Sequence, residues 1–160
     1  MPDDATLRRI FEKSRRVAVV GLSDRPHRAS HAVALYLRDH GYDVIPVNPT
    51  RESILGSRSF PALQAIDGPV DLIDCFRRPE AMPELAREAV AIGAKVLWMQ
   101  LDIVNEEAAE IARAGGLEVV MDRCTKIEHA RLLGRRYPGR HVETAAVGRD
   151  GQAPAGLGDR

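Results

Sequence analysis

The chain has 160 residues, enough for one domain with a real hydrophobic core. Lys and Arg number 23 and Asp and Glu number 23, so no global field draws in nucleic acid or an anionic membrane, and any anion site has to be local. No apolar run reaches the roughly 20 residues of a membrane helix, no secretory leader is expected, and Cys75 and Cys124 lack CxxC or zinc-ligand spacing, which together read as a soluble cytoplasmic protein in a reducing compartment.

Residues 4–15 carry Leu7, Ile10 and Phe11 at helical spacing, which predicts a short amphipathic helix packed on a sheet. Residues 17–20 are a continuous apolar run, the pattern of a parallel strand buried on both faces, and Gly21 ends it. Over residues 29–40 the apolar period changes to that of a helix, with Val33, Tyr36 and Leu37 on one face and Gly41 as its stop. Residues 42–47 are the second strand, closed by Pro46 and Pro49. Residues 50–66, with Gly56, Pro61 and mixed polarity, read as a loop with a short strand or helical turn. A turn at Asp67, Gly68 and Pro69 precedes a third long strand over 70–76. Pro79 and Pro83 frame the start of a helix that buries Met82, Leu85, Ala86 and Ala89 and closes at Gly93.

Residues 95–99 form the next strand. Asn105 is an N-cap, Glu106 and Glu107 favour the positive end of the helix that follows, and Ala108, Ile111 and Ala112 face inward before Gly115 and Gly116 stop it. Residues 117–121 are the last strand and 126–133 the last helix. Residues 1–140 are therefore read as one domain and 141–160, with little to bury, as a disordered tail. Strands alternating with helices imply an α/β fold, a Rossmann-like doubly wound parallel sheet of about five strands in three layers, α/β/α.

Ligands of such sheets bind beyond the carboxyl ends of the strands, where the strand order reverses. That rim collects residues 21–30, 47–51, 76–79, 98–102 and 122–125. The first loop is the most informative: a helix N-terminus offers backbone N–H groups, Ser23 and Ser30 offer hydroxyls, and Arg25, His27 and Arg28 offer cationic or potentially cationic donors. A polyphosphate fits it, and so does a plain solvated loop capped by Ser30. The dinucleotide fingerprint is broken, since Ser23 and Pro26 stand where its second and third glycines belong. No acid sits at the far end of the second strand to hold NAD ribose hydroxyls. Arg51 follows instead, and a cation there suits a phosphorylated ribose, as in coenzyme A or NADP.

Several ordered segments then resemble one family: VAVVGLS at 17–23, the loop with Arg28 and Ser30, GYDVIPVNP at 41–49, ILGSRSFPAL at 54–63, CFRRPE at 75–80, LWMQLDI at 97–103 and MDRCTKIEHARL at 121–132. Over residues 10–133 the chain resembles the small stand-alone CoA-binding proteins, whose fold is similar to the CoA-binding domain of the succinyl-CoA synthetase α subunit. The resemblance implies that Gly21, Ser23 and the nearby backbone meet the CoA diphosphate, with Arg28 and Ser30 in support. It implies that Val47, Asn48 and Pro49 wall the adenosine and that Arg51 reaches its 3′-phosphate. Phe76, Arg77 and Arg78 would form the next wall, with Trp98, Met99 and Gln100 farther along the pantetheine path. The synthetase subunit has a second domain with a phosphorylated histidine, for which this chain has no room, so the resemblance implies binding without establishing catalysis.

No assembled catalytic group is legible, and no metal set either. His27 is placed to touch phosphate, His31 and His40 are too far apart on one helix to chelate, and His129 reads as surface or helix packing. Ser23 lacks a base. Cys124, beside Arg123 and Lys126, is open to two readings, a structural cysteine or a thiolate able to exchange with CoA; Cys75 reads as core. Arg131, Arg135, Arg136 and Arg140 make a basic run without stacking aromatics, which favours a solvated helix face over nucleic acid. The function expected is binding of coenzyme A or an acyl-CoA as a carrier, sensor or regulatory module. The alternative is an NADP-dependent oxidoreductase or an acyl-CoA-using transferase or ligase component. A protein-interaction module regulated by CoA is compatible with the first.

Overall fold

The computed structural model describes residues 1–134, so the expected tail and Arg135, Arg136 and Arg140 lie outside the described residues. Helix α1 (Asp4–Lys13) opens the chain, its N-terminus capped by Asp3, whose carboxylate accepts the Thr6 N–H at 2.9 Å. Strand β1 (Arg16–Val20) leads through the first loop into helix α2 (Ala29–Asp39), and strand β2 (Asp43–Val47) completes the opening unit. A small antiparallel hairpin, β3 (Ser53–Ile54) and β4 (Ser57–Arg58), and a 3-10 turn at Leu63–Ala65 fill the stretch expected as a loop with a short strand or helical turn. Then come β5 (Leu72–Cys75), α3 (Met82–Ala91), β6 (Val96–Met99), α4 (Glu106–Ala114), β7 (Glu118–Val120) and α5 (Thr125–His129).

The five long strands form one parallel sheet in the order β2-β1-β5-β6-β7. Alternation along β1 explains its unbroken apolar run. Ala18 and Val20 enter a core with Leu85, Ala86 and Ala89 of α3 and Ala108, Ala109 and Ala112 of α4, while Val17 and Val19 enter a second core with α1, α2 and Leu132 and Leu133. Both sheet faces are thus covered, giving three layers. Full burial of a side chain such as Leu7, Leu37 or Ile73 contributes about 1.5–3 kcal/mol, which makes these two cores the main source of stability.

Some boundaries differ from the sequence reading for identifiable reasons. Pro46 lies inside β2 rather than closing it. An edge strand tolerates a residue without an N–H, and the Pro46 carbonyl still accepts the Phe60 N–H at 3.0 Å. The final helix begins with one α-helical turn and continues as a π-helical turn at Ala130–Gly134, whose broader turn still brings Leu132 and Leu133 into the core. The third strand spans Leu72–Cys75 rather than 70–76, and Asp71 just before it accepts the N–H groups of Arg15 and Arg16 on its carboxylate at 2.8 and 2.9 Å.

The chain reverses direction across the sheet between β1 and β5, and their carboxyl ends are level, Val20 opposite Cys75 and Val47. At this point Gly21 has φ +86°, and a Cβ built on it would stand 2.6 Å from the Phe76 carbonyl oxygen. Only glycine fits so close an approach. Gly21→Ala is expected to lower unfolding free energy by about 1–3 kcal/mol, read from the urea midpoint, because the new methyl meets backbone that has no room to yield.

Candidate functional site

The loops that follow β1, β2 and β5 face one another across the switch point. After Gly21, Leu22 is buried and Ser23 is half-buried, and the loop is folded by its own hydroxyls. The Ser23 N–H donates to Ser30 Oγ at 3.0 Å, and the Arg25 N–H donates to Ser23 Oγ at 3.0 Å. A hydroxyl that accepts a bond keeps its own proton for donation. Ser30 is 5% exposed and caps nothing: Arg28, at the N-cap of α2, makes no side-chain cap bond, and the first turn carries no acid. By contrast α1 is capped by Asp3, and α4 by Asn105, whose Oδ1 accepts the Ala108 N–H at 2.8 Å. The first turn of α2 therefore has no side chain competing for its backbone N–H groups, as is also true of α3 and α5.

The β2 loop is tied to the first loop. Asn48 Nδ2 donates to the Leu22 carbonyl at 2.9 Å, and Asn48 Oδ1 accepts both the Thr50 N–H and its hydroxyl at 2.8 Å. Pro49 and Arg51 are exposed and Val47 is buried. The Arg51 guanidinium is not idle: its Nε donates to Asp24 Oδ2 at 2.7 Å, which joins the two loops across the crevice mouth. That bond holds the Asp24 carboxyl below the usual carboxylate range. Across the crevice Phe76 is half-buried and Arg77 and Arg78 are exposed, while the Phe76 N–H donates to the Val20 carbonyl at 2.9 Å. Arg25, Arg28, Arg51, Arg77 and Arg78 are thus exposed on the loops at one edge of a chain with formal net charge +0.

The three remaining expected residues are placed differently. Trp98 and Met99 are completely buried on opposite faces of β6, each in one of the two cores, and the Trp98 indole N–H donates to the Arg123 carbonyl at 2.7 Å. Gln100 is 4% exposed and belongs to a polar network that the sequence reading missed. Its Nε2 donates to Asp74 Oδ1 and, at 2.9 Å, to Thr125 Oγ1, while the Thr125 hydroxyl donates to Asp74 Oδ2 at 2.7 Å. The network fastens the carboxyl ends of β5 and β6 to the start of α5. Asp74 is the acid in the middle of an apolar strand, and that misfit was the signal available in the sequence.

Two further aspartates shape the rim beyond β6 and β7. Asp102 and Asp122 both adopt left-handed backbone, φ +68° and +59°, and Asp122 Oδ1 accepts the Asp102 N–H at 2.8 Å. Cys124 is 8% exposed and packs in the core with Trp98 and Leu132, the surroundings of a structural cysteine. Burial pushes the Cys75 thiol well above its ordinary value, with the Asp74 charge adding to it. Both cysteines are free. His129 is buried, with Nδ1 2.9 Å from the Tyr36 hydroxyl, and Arg131 pairs with Asp4 and Glu128.

A family model described as a CoA binding domain matches residues 15–130. The uncharacterized protein YneT of Bacillus subtilis (strain 168) is 46% identical over 129 residues, which is 81% of this chain and 96% of that one. A hypothetical protein from Pyrococcus horikoshii OT3 superposes with a TM-score of 0.81 at 39% identity, covering 83% of this chain and 94% of its own. A Thermus thermophilus structure gives 0.79 at 34%, covering 82% of this chain and 100% of its own. Among the described residues no helix is long and apolar enough to cross a membrane.

Burial pushes the Asp74 carboxyl up to about 7, against the Gln100 and Thr125 bonds that favour its ionised form. An unfolded chain titrates this group near pH 4, so between about pH 4 and 7 the native state holds the proton more tightly. Its contribution to stability is full below that window and is lost as pH rises through 7. The stability of wild type minus that of Asp74→Asn is therefore expected to fall from pH 4 to pH 8, by on the order of 3–4 kcal/mol at most, measured by denaturant unfolding. A pH-independent difference would contradict this assignment.

Proposed function

The chain belongs to the CoA binding domain family, and on that premise we propose that it binds coenzyme A or an acyl-CoA in the crevice between β1 and β5. Its role in this reading is that of a cytoplasmic carrier, sensor or regulatory module without turnover of its own. The observation that carries the reading is the uncapped N-terminus of α2, set beside Gly21 at the switch point and ringed by cations from three loops.

The diphosphate lies over the first turn of α2, held by backbone N–H groups, the Ser23 and Ser30 hydroxyls and Arg28. Gly21 lets the backbone come close, as its approach to Phe76 already requires. Val47, Asn48 and Pro49 border the adenosine, and Arg51 meets the 3′-phosphate. Phe76, Arg77 and Arg78 form the opposite wall. The pantetheine arm runs toward the segment of Trp98, Met99 and Gln100, where buried side chains leave the arm backbone and the neighbouring rim loops to meet. Support for a binding role comes from the use already made of the polar side chains on the rim: Ser23, Ser30 and Asn48 hold loops, and Asp74 is sealed beneath them.

An Arg51 contact to phosphate requires a ligand preference. Calorimetry is expected to show CoA binding about tenfold more tightly than dephospho-CoA, since a charge-assisted bond to phosphate contributes about 1.5–3 kcal/mol, and Arg51→Ala is expected to remove most of that difference. Equal affinities for the two ligands would remove the role given to Arg51. In a parallel thermal-shift series CoA should raise the midpoint more than NADP or NAD at equal concentration, because preferential binding to the native state appears directly as stabilisation. A larger shift with NADP would favour the oxidoreductase alternative.

A further inference from the structure

The ion pair across the crevice mouth has a chemical consequence for what can enter. Asp24 belongs to the loop after β1 and Arg51 to the loop after β2, 27 positions on, and the pair joins them at 2.7 Å. Their bases are held at fixed spacing by the Asn48 bond to the Leu22 carbonyl, and Arg51 Nη1 donates to the Thr50 carbonyl at 3.0 Å. The guanidinium is thus already oriented and already neutralised. Both side chains are exposed, 45% for Arg51 and 42% for Asp24, so solvent reaches the pair and its hold is weak enough to be exchanged.

We propose that Asp24 acts through Arg51 as a positioning residue that moderates ligand selectivity: its carboxylate keeps the guanidinium occupied, so a ligand oxyanion gains Arg51 only by displacing it, and the preference for a phosphorylated ligand is held smaller than it would be without Asp24. The inference rests on the CoA reading above and adds to it a selection rule. A phosphate monoester near neutral pH carries close to two negative charges and offers oxygens for a bidentate contact, so it competes with one carboxylate for the fork of Arg51. A ribose hydroxyl is neutral and gains nothing from breaking the pair. The pair therefore lowers affinity only for a 3′-phosphorylated nucleotide, which has to displace Asp24 to reach Arg51, and leaves the affinity for an unphosphorylated one unchanged. No covalent step is involved, and the exchange is one of hydrogen-bond acceptors.

The test is a calorimetric titration of wild type and Asp24→Asn with CoA and with dephospho-CoA at one fixed ionic strength. The substitution removes the competing charge while keeping the side-chain shape at an exposed position. CoA is expected to bind the variant about two- to fivefold more tightly, the range an exposed ion pair accounts for, while dephospho-CoA changes by less than about 1.5-fold. The preference for the phosphorylated ligand widens accordingly. An equal gain for both ligands would show general charge repulsion and overturn the proposal, as would an unchanged or weakened CoA affinity. Binding of neither ligand by wild type would overturn the CoA reading and the selection rule together, whereas normal CoA binding without the Asp24 effect overturns the selection rule alone.

Discussion

Two parallel strands that leave the sheet in different directions must let their following loops pass, and here they pass at backbone contact. Gly21 lies where even a methyl group would intrude on the Phe76 carbonyl. The same short segment receives a bond from each side, the Gly21 N–H donating to the Val47 carbonyl at 3.0 Å and the Phe76 N–H to the Val20 carbonyl at 2.9 Å. From this junction the first loop leads to α2, whose N-terminus carries no side-chain cap. The close approach at Gly21 follows from sheet packing, while Ser23 and Pro26 stand where the dinucleotide fingerprint has its second and third glycines.

Charge is arranged on the same principle of local against global. The chain as a whole is neutral, yet the carboxyl edge of the sheet gathers arginines from three separate loops. One of them is held by Asp24, and below the rim an aspartate is buried in full with hydrogen bonds from Gln100 and Thr125. In the CoA reading, a field confined to one edge would guide an anion to the switch point while the chain as a whole stays neutral. The buried network does a different job, fixing the ends of β5 and β6 against α5 so that the loops above them start from defined positions.

Much of this was legible in order along the chain. The apolar run of residues 17–20, the helical spacing of Val33 and Leu37 and the cap at Asn105 all state local physics, and each corresponds to an element in the structure. Pro46 misled because a proline is ambiguous between ending a strand and occupying an edge, and strand order decides which. Trp98 was open to two readings for a similar reason: a large aromatic at the end of a strand fills a core or lines a ligand, and only the helix packed against it distinguishes them. The Asp24–Arg51 pair and the Asp74 network join residues far apart in sequence, so no window along the chain contains them. Family resemblance supplied the ligand class, and the structure supplied the contacts among the loops that would receive it.

The central claim is that the crevice beside Gly21 receives the diphosphate of a CoA molecule whose 3′-phosphate reaches Arg51. A crystal structure of the CoA complex tests it most directly. The account predicts diphosphate density over the first turn of α2, the adenosine against Asn48 and Pro49, and Arg51 turned from Asp24 to the 3′-phosphate. Density for CoA at any other surface, with the Asp24–Arg51 pair intact, would contradict it.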